Sequence, residues 1–147
     1  MVIRNRYEKT VCVSGGFDPV HVGHLRMLRA AKKLAGVDGR LVVIVNSDDW
    51  LERKKGYVFM PFDERREIIM GFRCVYAVYP VNDSDDTVCE ALKRINPDIF
   101  ANGGDRKEGN VPEYGVCDEL NIEMVYNVGG GKVQSSSELV GNANEQG

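Results

Sequence analysis

The sequence contains little of what a metalloprotein, a disulfide-rich protein or a membrane protein needs. Only two of its 147 residues are histidines, and its four cysteines, Cys12, Cys74, Cys89 and Cys117, are far apart and form no C-x-x-C pair. A zinc site would have to combine distant residues, so the cysteines are expected to be small buried hydrophobic side chains. No apolar run approaches the ~20 residues needed to span a bilayer.

An excess of positive charge is also missing. Nineteen basic and twenty-two acidic residues leave a net charge of −3, which argues against a protein that binds nucleic acid over a broad surface. The segment Met1–Arg6 is not followed by the apolar stretch of a signal peptide. With 43% hydrophobic and 28% charged residues, the composition is that of a globular protein. We therefore expect one domain over residues 1–147, located in the cytoplasm, with neither a membrane nor a nucleic-acid partner.

Short apolar segments alternate with amphipathic ones along the chain. The predicted strands are Thr10–Ser14, Arg40–Val45, Cys74–Tyr79, Asp98–Ala101 and Ile122–Val128. The predicted helices are Gly23–Ala35, a helix with Pro61 in its first turn, a helix capped by Asp85–Thr87, Glu113–Leu120 and a short Ser135–Val140. The basic stretch Arg53–Gly56 is predicted to be a loop.

This alternation predicts the fold class α/β. We expect a Rossmann-like, doubly wound parallel sheet of about five strands with helices on both faces. Ligands of such sheets bind at the carboxyl ends of the strands, near the point where the strand order reverses. The loops after the first, second and fourth strands should therefore converge on one site.

The loop after the first strand carries both histidines of the chain. It reads Gly-Gly-Phe-Asp-Pro-Val-His-Val-Gly-His from Gly15 to His24. The paired glycines allow the backbone to approach a ligand closely. His21 and His24 flank a predicted helix start, where ring N–H groups, free backbone N–H groups and the helix dipole favour an anion such as phosphate. The alternatives are a helix cap, a surface position and the beginning of a metal site.

The same loop resembles the signature of the nucleotidylyltransferase superfamily, whose members carry a Gly-x-Phe-Asp…His-x-Gly-His motif. Val-Asn-Ser-Asp, ending at Asp48, is similar to the family's second strand and loop, and Pro-Phe-Asp-Glu-Arg, ending at Arg65, is similar to its Pro-Tyr-Glu-x-Arg stretch. Asn-Gly-Gly-Asp, ending at Asp105, resembles the Lys-Gly-Gly-Asp turn of the heptose 1-phosphate adenylyltransferase branch. Ser135 to Ser137 resemble a Ser-Thr-Thr helix start.

The resemblance implies roles for the basic residues. His21 and His24 would hold a triphosphate and stabilise the departing pyrophosphate. Lys54 would close over the α-phosphate from a glycine-flanked loop, with Lys55 as the alternative. Arg65 would bind phosphate across the sheet.

Each of these residues also has a structural alternative. Lys54 could be a solvated lysine in a charged run. Arg65 could pair with Asp63 or Glu67 on an exposed helix face. Ser135 could simply cap a helix, since Ser135 and Glu138 fit a capping box.

The remaining site residues divide between nucleotide and acceptor. Asp48 could face the acceptor or cap a strand end, and the Gly-Gly-Asp segment could be an ordinary tight turn. The residues that the resemblance assigns to the nucleotide, besides Arg65, are Gly15, Gly16, Phe17, Asp18, Gly23, Gly103, Gly104, Asp105, Ser135, Ser136 and Ser137. Those assigned to the acceptor are Asp48 and Arg106.

The predicted function is transfer of AMP or CMP from ATP or CTP to a sugar phosphate or polyol phosphate, with release of pyrophosphate. Mg²⁺ is expected to arrive with the triphosphate, without a dedicated protein site. The alternatives are a nucleotide-binding sensor without turnover and a cytidylyltransferase for an alcohol phosphate such as glycerol 3-phosphate or phosphoethanolamine. A fragment of a class I aminoacyl-tRNA synthetase is disfavoured, because the chain is too short for a tRNA-reading domain. The resemblance also implies a homodimer.

Overall fold

Strands and helices alternate along the described chain, except that two helices lie between the second and third strands. The computed structural model describes residues 8–103 and 111–129. The strands are β1 (Thr10–Gly15), β2 (Arg40–Val45), β3 (Ala77–Tyr79), β4 (Ile99–Ala101) and β5 (Glu123–Val125). The helices are α1 (Val22–Ala35), α2 (Asp48–Lys55), α3 (Phe62–Met70), α4 (Cys89–Ile95) and α5 (Tyr114–Glu119).

The five strands form one parallel sheet in the order β3-β2-β1-β4-β5. This confirms the predicted α/β, Rossmann-like class. The chain moves outward from β1 to β3 and then returns to the other side of β1, so the strand order reverses between β1 and β4. The carboxyl ends of β1, β2 and β4, at Gly15, Val45 and Ala101, therefore lie along one edge of the sheet, as predicted.

Two hydrophobic layers cover the two faces of the sheet. Alternate residues of a strand point to opposite faces, so Val11 and Val13 face one layer while Cys12 faces the other. The first layer packs β1 and β2 against α1 and α3, and includes Leu28, Ala31, Leu41, Val43 and Ile69. The second packs the sheet against α4 and α5, and includes Val42, Ile44, Leu92, Phe100 and Cys117.

The largest departure from the sequence-based expectation is helix α2. The prediction that Arg53–Gly56 forms a loop is wrong, because Arg53, Lys54 and Lys55 form the last turn of α2. Ser47 caps the helix by accepting a hydrogen bond from Trp50 N, and Gly56 ends it in the left-handed conformation at φ 85°. The basic side chains lie at the negative end of the helix dipole.

Other boundaries differ by a few residues. β3 begins at Ala77 rather than Cys74, and β5 is limited to Glu123–Val125. Of the segment expected to cap the third predicted helix, only Thr87 contributes: its hydroxyl accepts a hydrogen bond from Cys89 N, the first amide of α4, at 3.2 Å. Asp85 accepts hydrogen bonds from Thr87 and does not contact the helix amides. The predicted Ser135–Val140 helix lies outside the described residues.

Within residues 8–103 and 111–129, no helix combines the length and apolar character required to cross a bilayer. The longest of these helices, α1, has 14 residues. The described cysteines are free thiols, with Cys12 and Cys117 buried and Cys74 and Cys89 partly buried. Burial raises the pKa of the Cys117 thiol to about 11, so this side chain is a neutral part of the core.

Two glycines provide a test of the packing. A Cβ at Gly39 would overlap the carbonyl oxygen of Ala35, whereas a Cβ at Gly115, within α5, would meet no atom within 4 Å. Gly39→Ala should lower the free energy of unfolding by roughly 1–3 kcal/mol through overpacking. Gly115→Ala should raise it by about 0.5–1 kcal/mol through lower backbone entropy. Chemical denaturation measures both, and equal effects would contradict the described α1–β2 connection.

Candidate active site at the carboxyl edge of the sheet

The two histidines are locked together at the start of α1. His21 is the N-cap residue, and its Nδ1 accepts a hydrogen bond from Gly23 N at 3.0 Å. In return, His24 Nδ1 accepts one from His21 N at 3.2 Å. The rings stack with their centroids 3.8 Å apart, and the Phe17 ring meets His24 edge-on at 4.8 Å. The cap expected as an alternative to phosphate binding is thus present, and it fixes both rings.

These contacts determine which ring nitrogen carries the proton. Because Nδ1 of each ring accepts a hydrogen bond from a backbone N–H, the hydrogen-bond network assigns the proton to Nε2 in both neutral rings. Nε2 of His21 is buried and has no partner among the described residues. A buried donor without an acceptor is costly, so this atom indicates a place for an acceptor from a ligand.

Both rings are held in the neutral form. Burial lowers the pKa of His21, and burial together with the neighbouring His21 ring lowers the pKa of His24 to about 3. Two protonated rings at this separation would repel each other. At neutral pH the pair therefore offers N–H donors without a formal charge.

Asp18 anchors the connection between α2 and α3 to the loop from Gly15 to His24, which we call the signature loop. Its carboxylate accepts hydrogen bonds from Lys55 Nζ and Phe59 N, both at 2.8 Å, and from Met60 N. Burial raises the pKa of this carboxyl, but the hydrogen bonds from Lys55 and the two backbone amides outweigh it and lower the pKa overall. Asp18 is thus an ionised structural anchor as well as a residue of the predicted pocket.

The two lysines have different surroundings. Lys55 Nζ also donates to the carbonyl oxygen of Asp18 at 2.8 Å, so it lies directly on the signature loop. Lys54 Nζ lies 5.0 Å above the centre of the Trp50 ring instead. The expectation that Lys54 lies in a glycine-flanked loop is wrong, since Lys54 belongs to the last turn of α2. Lys55 rather than Lys54 contacts the loop that carries the histidines.

Arg65 is fully buried, whereas the sequence-based interpretations place it either against a phosphate or on an exposed helix face. Its Nη1 donates to the carbonyl oxygens of Gly16 and Asn46, both at 2.8 Å, and its Nε donates to that of Met60 at 2.8 Å. Its Nη2 donates to Asp48 Oδ1 at 2.6 Å. The structure does not show the alternative pairing with Asp63 or Glu67. Arg65 instead joins four segments of the site: the loop after β1, the end of β2, the start of α2 and the connection between α2 and α3.

Comparison with known proteins assigns the family. The family model described as Cytidylyltransferase-like matches residues 12–127. The chain belongs to this family. It is similar to the FAD synthase of Methanobrevibacter smithii, with 36% identity over 67% of this chain and 64% of that protein. It is also similar to the bifunctional protein HldE of Blochmanniella pennsylvanica, with 37% identity over 88% of this chain and 25% of that protein.

The chain thus spans less than two thirds of the length of these relatives. A crystal structure described as the lipopolysaccharide core biosynthesis protein from Thermoplasma volcanium covers 80% of this chain and 94% of its own, with a TM-score of 0.65 and 24% identity. A protein of unknown function from Archaeoglobus fulgidus covers 80% of this chain and 87% of its own, with a TM-score of 0.57 and 18% identity. Both likenesses concern the fold alone.

Within this cytidylyltransferase-like fold, Asp48 lies beside a cavity at the carboxyl ends of β2 and β3. Oδ1 of Asp48 accepts hydrogen bonds from Arg65 and from Phe62 N, and its side chain is about half exposed. The cavity has a volume of about 220 Å³ and is lined by Val45, Ser47, Asp48, Asp49, Phe62, Pro80 and Val81. Asp48 therefore both holds α3 in place and faces open space.

One buried carboxylate was missed by the sequence analysis. Asp83, in the loop after β3, accepts hydrogen bonds from Ser47 N, Ser47 Oγ and Asn46 Nδ2 at 2.6–3.0 Å. It fixes the end of β2 and the cap of α2. Only the Val-Asn-Ser-Asp resemblance indicated this region, because nothing near Asp83 in the sequence marks it as a partner.

The space available for a side chain differs among the glycines of the site. A Cβ at Gly15 would lie 3.1 Å from the Phe17 ring, and one at Gly16 would lie 3.0 Å from the side chain of Leu51. Packing within the chain therefore favours glycine at these two positions, whatever the ligand. Gly23 is buried in the first turn of α1, and a Cβ at Gly103, after β4, would meet no atom within 4 Å.

The predicted roles of these glycines toward a nucleotide remain predictions. Several other predicted site residues lie outside the described residues, namely Gly104, Asp105, Arg106, Ser135, Ser136 and Ser137.

The lowered histidine pKa values predict a pH dependence of stability. Between pH 6.5 and about 3 the unfolded chain binds protons that the folded His24 does not, so the free energy of unfolding should fall as the pH falls through this window. Asp18, whose folded pKa is lowered, should lose its contribution only below its ordinary pKa, that is, at the acidic end of this window and beyond it. Denaturation of His24→Gln between pH 4 and 7 should give a flatter profile, and an unchanged slope would contradict the burial of this ring.

Proposed function

We propose that this chain is a nucleotidylyltransferase that transfers AMP or CMP from ATP or CTP to a small phosphorylated acceptor and releases pyrophosphate. The observation that carries the proposal is the fixed pair of imidazoles at the N-terminus of α1. His21 and His24 both present Nε2–H, and that of His21 is buried without an acceptor in the described part of the chain. Such donors at a helix N-terminus suit phosphate oxygens.

The reaction suits a site without a general base. A phosphate monoester is largely dianionic at neutral pH, so its oxygen is already a nucleophile. The protein must instead bring two anions together and stabilise the charge that develops on the α-phosphate and the leaving pyrophosphate. In the proposed function His21 and His24 donate to the triphosphate, and Lys55 moves from Asp18 to the α-phosphate.

Mg²⁺ enters this proposal as part of the triphosphate substrate. In residues 8–103 and 111–129, no group of three or more His, Cys, Asp or Glu side chains is placed to hold a metal ion. The described residues would act on the phosphates through N–H groups and through the Lys55 ammonium.

For the acceptor we propose a sugar phosphate or polyol phosphate bound over the ends of β2 and β3. The cavity there combines polar groups of Ser47, Asp48 and Asp49 with an apolar wall that includes Phe62. Carboxylates accept hydrogen bonds from hydroxyl groups, and an apolar wall suits the carbon face of a sugar. The relatives named FAD synthase favour ATP as the donor, because FAD contains adenine, whereas the family description favours CTP.

A single assay tests the reaction. The protein is mixed with Mg²⁺, either ATP or CTP, and a panel of heptose, glycerol, ethanolamine and flavin phosphates, and pyrophosphate release is measured. Turnover with one sugar or polyol phosphate would support the proposal. Nucleotide binding without pyrophosphate release from any acceptor would indicate a sensor and overturn it.

His24→Ala tests the donor pair directly. Loss of one donor to developing phosphate charge typically costs about 10²–10³ in kcat. Because His24 is only partly buried, the variant should keep a cooperative unfolding transition. A folded His24→Ala protein with wild-type kcat would remove this ring from the mechanism.

The two adjacent lysines form a matched pair for testing the cation. Lys55→Ala should reduce kcat by about a hundredfold or more, because it removes the ammonium that lies on the signature loop. Lys54→Ala should stay within about threefold of the wild type, since its contact is with Trp50 and exposed cation–π contacts contribute only ~0.5–1 kcal/mol. Steady-state kinetics of both variants measures the difference. A larger loss in Lys54→Ala would reverse the assignment.

A further inference from the structure

We propose that Arg65 is a positioning residue that aims the backbone N–H of Phe17 at a phosphate of the nucleotide. Arg65 itself would touch no ligand. The inference deepens the proposed function, on which it rests, because it assigns the orientation of a backbone donor in the nucleotide-binding loop to a buried side chain.

The first step is the isolation of Arg65 from solvent. Its relative exposure is 0%, and each of its three guanidinium nitrogens donates a hydrogen bond to the protein. A ligand at the open edge of the sheet cannot reach this guanidinium without displacing those partners. Arg65 can therefore contact the ligand only through the groups that it holds, and its charge is paired with Asp48.

The second step is the orientation of one peptide. Arg65 Nη1 binds the carbonyl oxygen of Gly16 at 2.8 Å. In a trans peptide the C=O and the following N–H point in opposite directions, so fixing the Gly16 carbonyl on Arg65 turns the Phe17 N–H away from the guanidinium. The only cis peptide bond in the described residues is Asp18–Pro19, which leaves the 16–17 peptide trans.

The third step is the state of the Phe17 donor. Phe17 is 3% exposed, and its N–H has no acceptor among the described residues. Phe17 also has a φ of 52°, a left-handed conformation that is unusual for a bulky side chain and that clusters at functional sites. An unpaired donor in a strained conformation, one ring contact away from His24, indicates an acceptor supplied by the ligand.

The planar guanidinium group of Arg65 has the three separate donor nitrogens that these contacts require. It binds the Gly16 and Asn46 carbonyls with one nitrogen, Met60 with another and Asp48 with the third. A lysine keeps the positive charge, but its single ammonium cannot match this geometry. Arg65→Lys should therefore release the Gly16 carbonyl while leaving a charge to pair with Asp48.

The kinetic experiment compares Arg65→Lys with Arg66→Lys. Arg66 is the exposed neighbour on α3 and has no hydrogen bond within the described part of the chain. Arg65→Lys should lose about tenfold or more in kcat under conditions where circular dichroism shows it folded, and Arg66→Lys should match the wild type. A folded Arg65→Lys protein with wild-type kcat and KM would overturn the positioning role.

A second measurement uses the wild-type protein and needs no turnover. In ¹⁵N-labelled protein, the Phe17 amide resonance should shift on addition of MgATP, MgCTP or inorganic pyrophosphate, and its hydrogen exchange should slow several-fold. The same ligands should shift this resonance less in Arg65→Lys. A Phe17 amide that responds to none of the three probes would overturn the inference even if Arg65→Lys fails to fold.

The two proposals can fail separately. Binding with a Phe17 response but without pyrophosphate release would overturn transferase activity and leave the donor assignment standing. Turnover without a Phe17 response would overturn the donor assignment and leave transferase activity standing.

Discussion

The site depends on one buried cation. Removing a guanidinium from water costs several kcal/mol, which must be recovered from well-placed partners. Arg65 recovers it from three backbone carbonyls and the Asp48 carboxylate. These partners belong to the signature loop, the end of β2, the start of α2 and the connection to α3. None of these segments can shift alone without leaving part of the charge unsatisfied, so the carboxyl edge of the sheet behaves as one unit.

Two neutral imidazole donors and one close ion pair determine the electrostatics of the site. The two imidazoles are neutral because burial and their mutual contact oppose protonation. Lys55 is neutralised by Asp18 at 2.8 Å. In the proposed function, the negative charge of a triphosphate favours protonation of the two imidazole rings. It also competes with the Asp18 carboxylate for the Lys55 ammonium. Nucleotide binding and the local charge state are then coupled.

The sequence was informative where the signal was local. The α1 pattern predicted its helix to within one residue, and the apolar run of β2 predicted Arg40–Val45 as the structure has it. The positions of His21 and His24 on either side of Gly23 indicated that both rings lie at the start of α1. The family resemblance was confirmed by the match over residues 12–127, which no periodicity argument could have provided.

The failures share a physical cause, which is that tertiary contacts decided the outcome. Helix α2 carries a single buried apolar residue, Leu51, and its charged sequence has no apolar stripe to predict it. Its start depends on Ser47, which is held by Asp83 from a loop 36 residues away. Likewise, an arginine among the acidic residues of α3 is ordinarily solvated, and only the converging carbonyls make burial of Arg65 favourable.

The strand order also constrains how the proposed reaction can proceed. In-line phosphoryl chemistry requires the attacking oxygen and the leaving group on opposite sides of the phosphorus. The cavity at β2 and β3 lies on one side of β1, and Gly103, after β4, lies on the other. The histidines follow β1 itself, between these two regions. An acceptor over β2 and a nucleotide extending toward β4 would therefore meet above β1, where the Phe17 amide and the imidazole N–H groups can act on the phosphates between them.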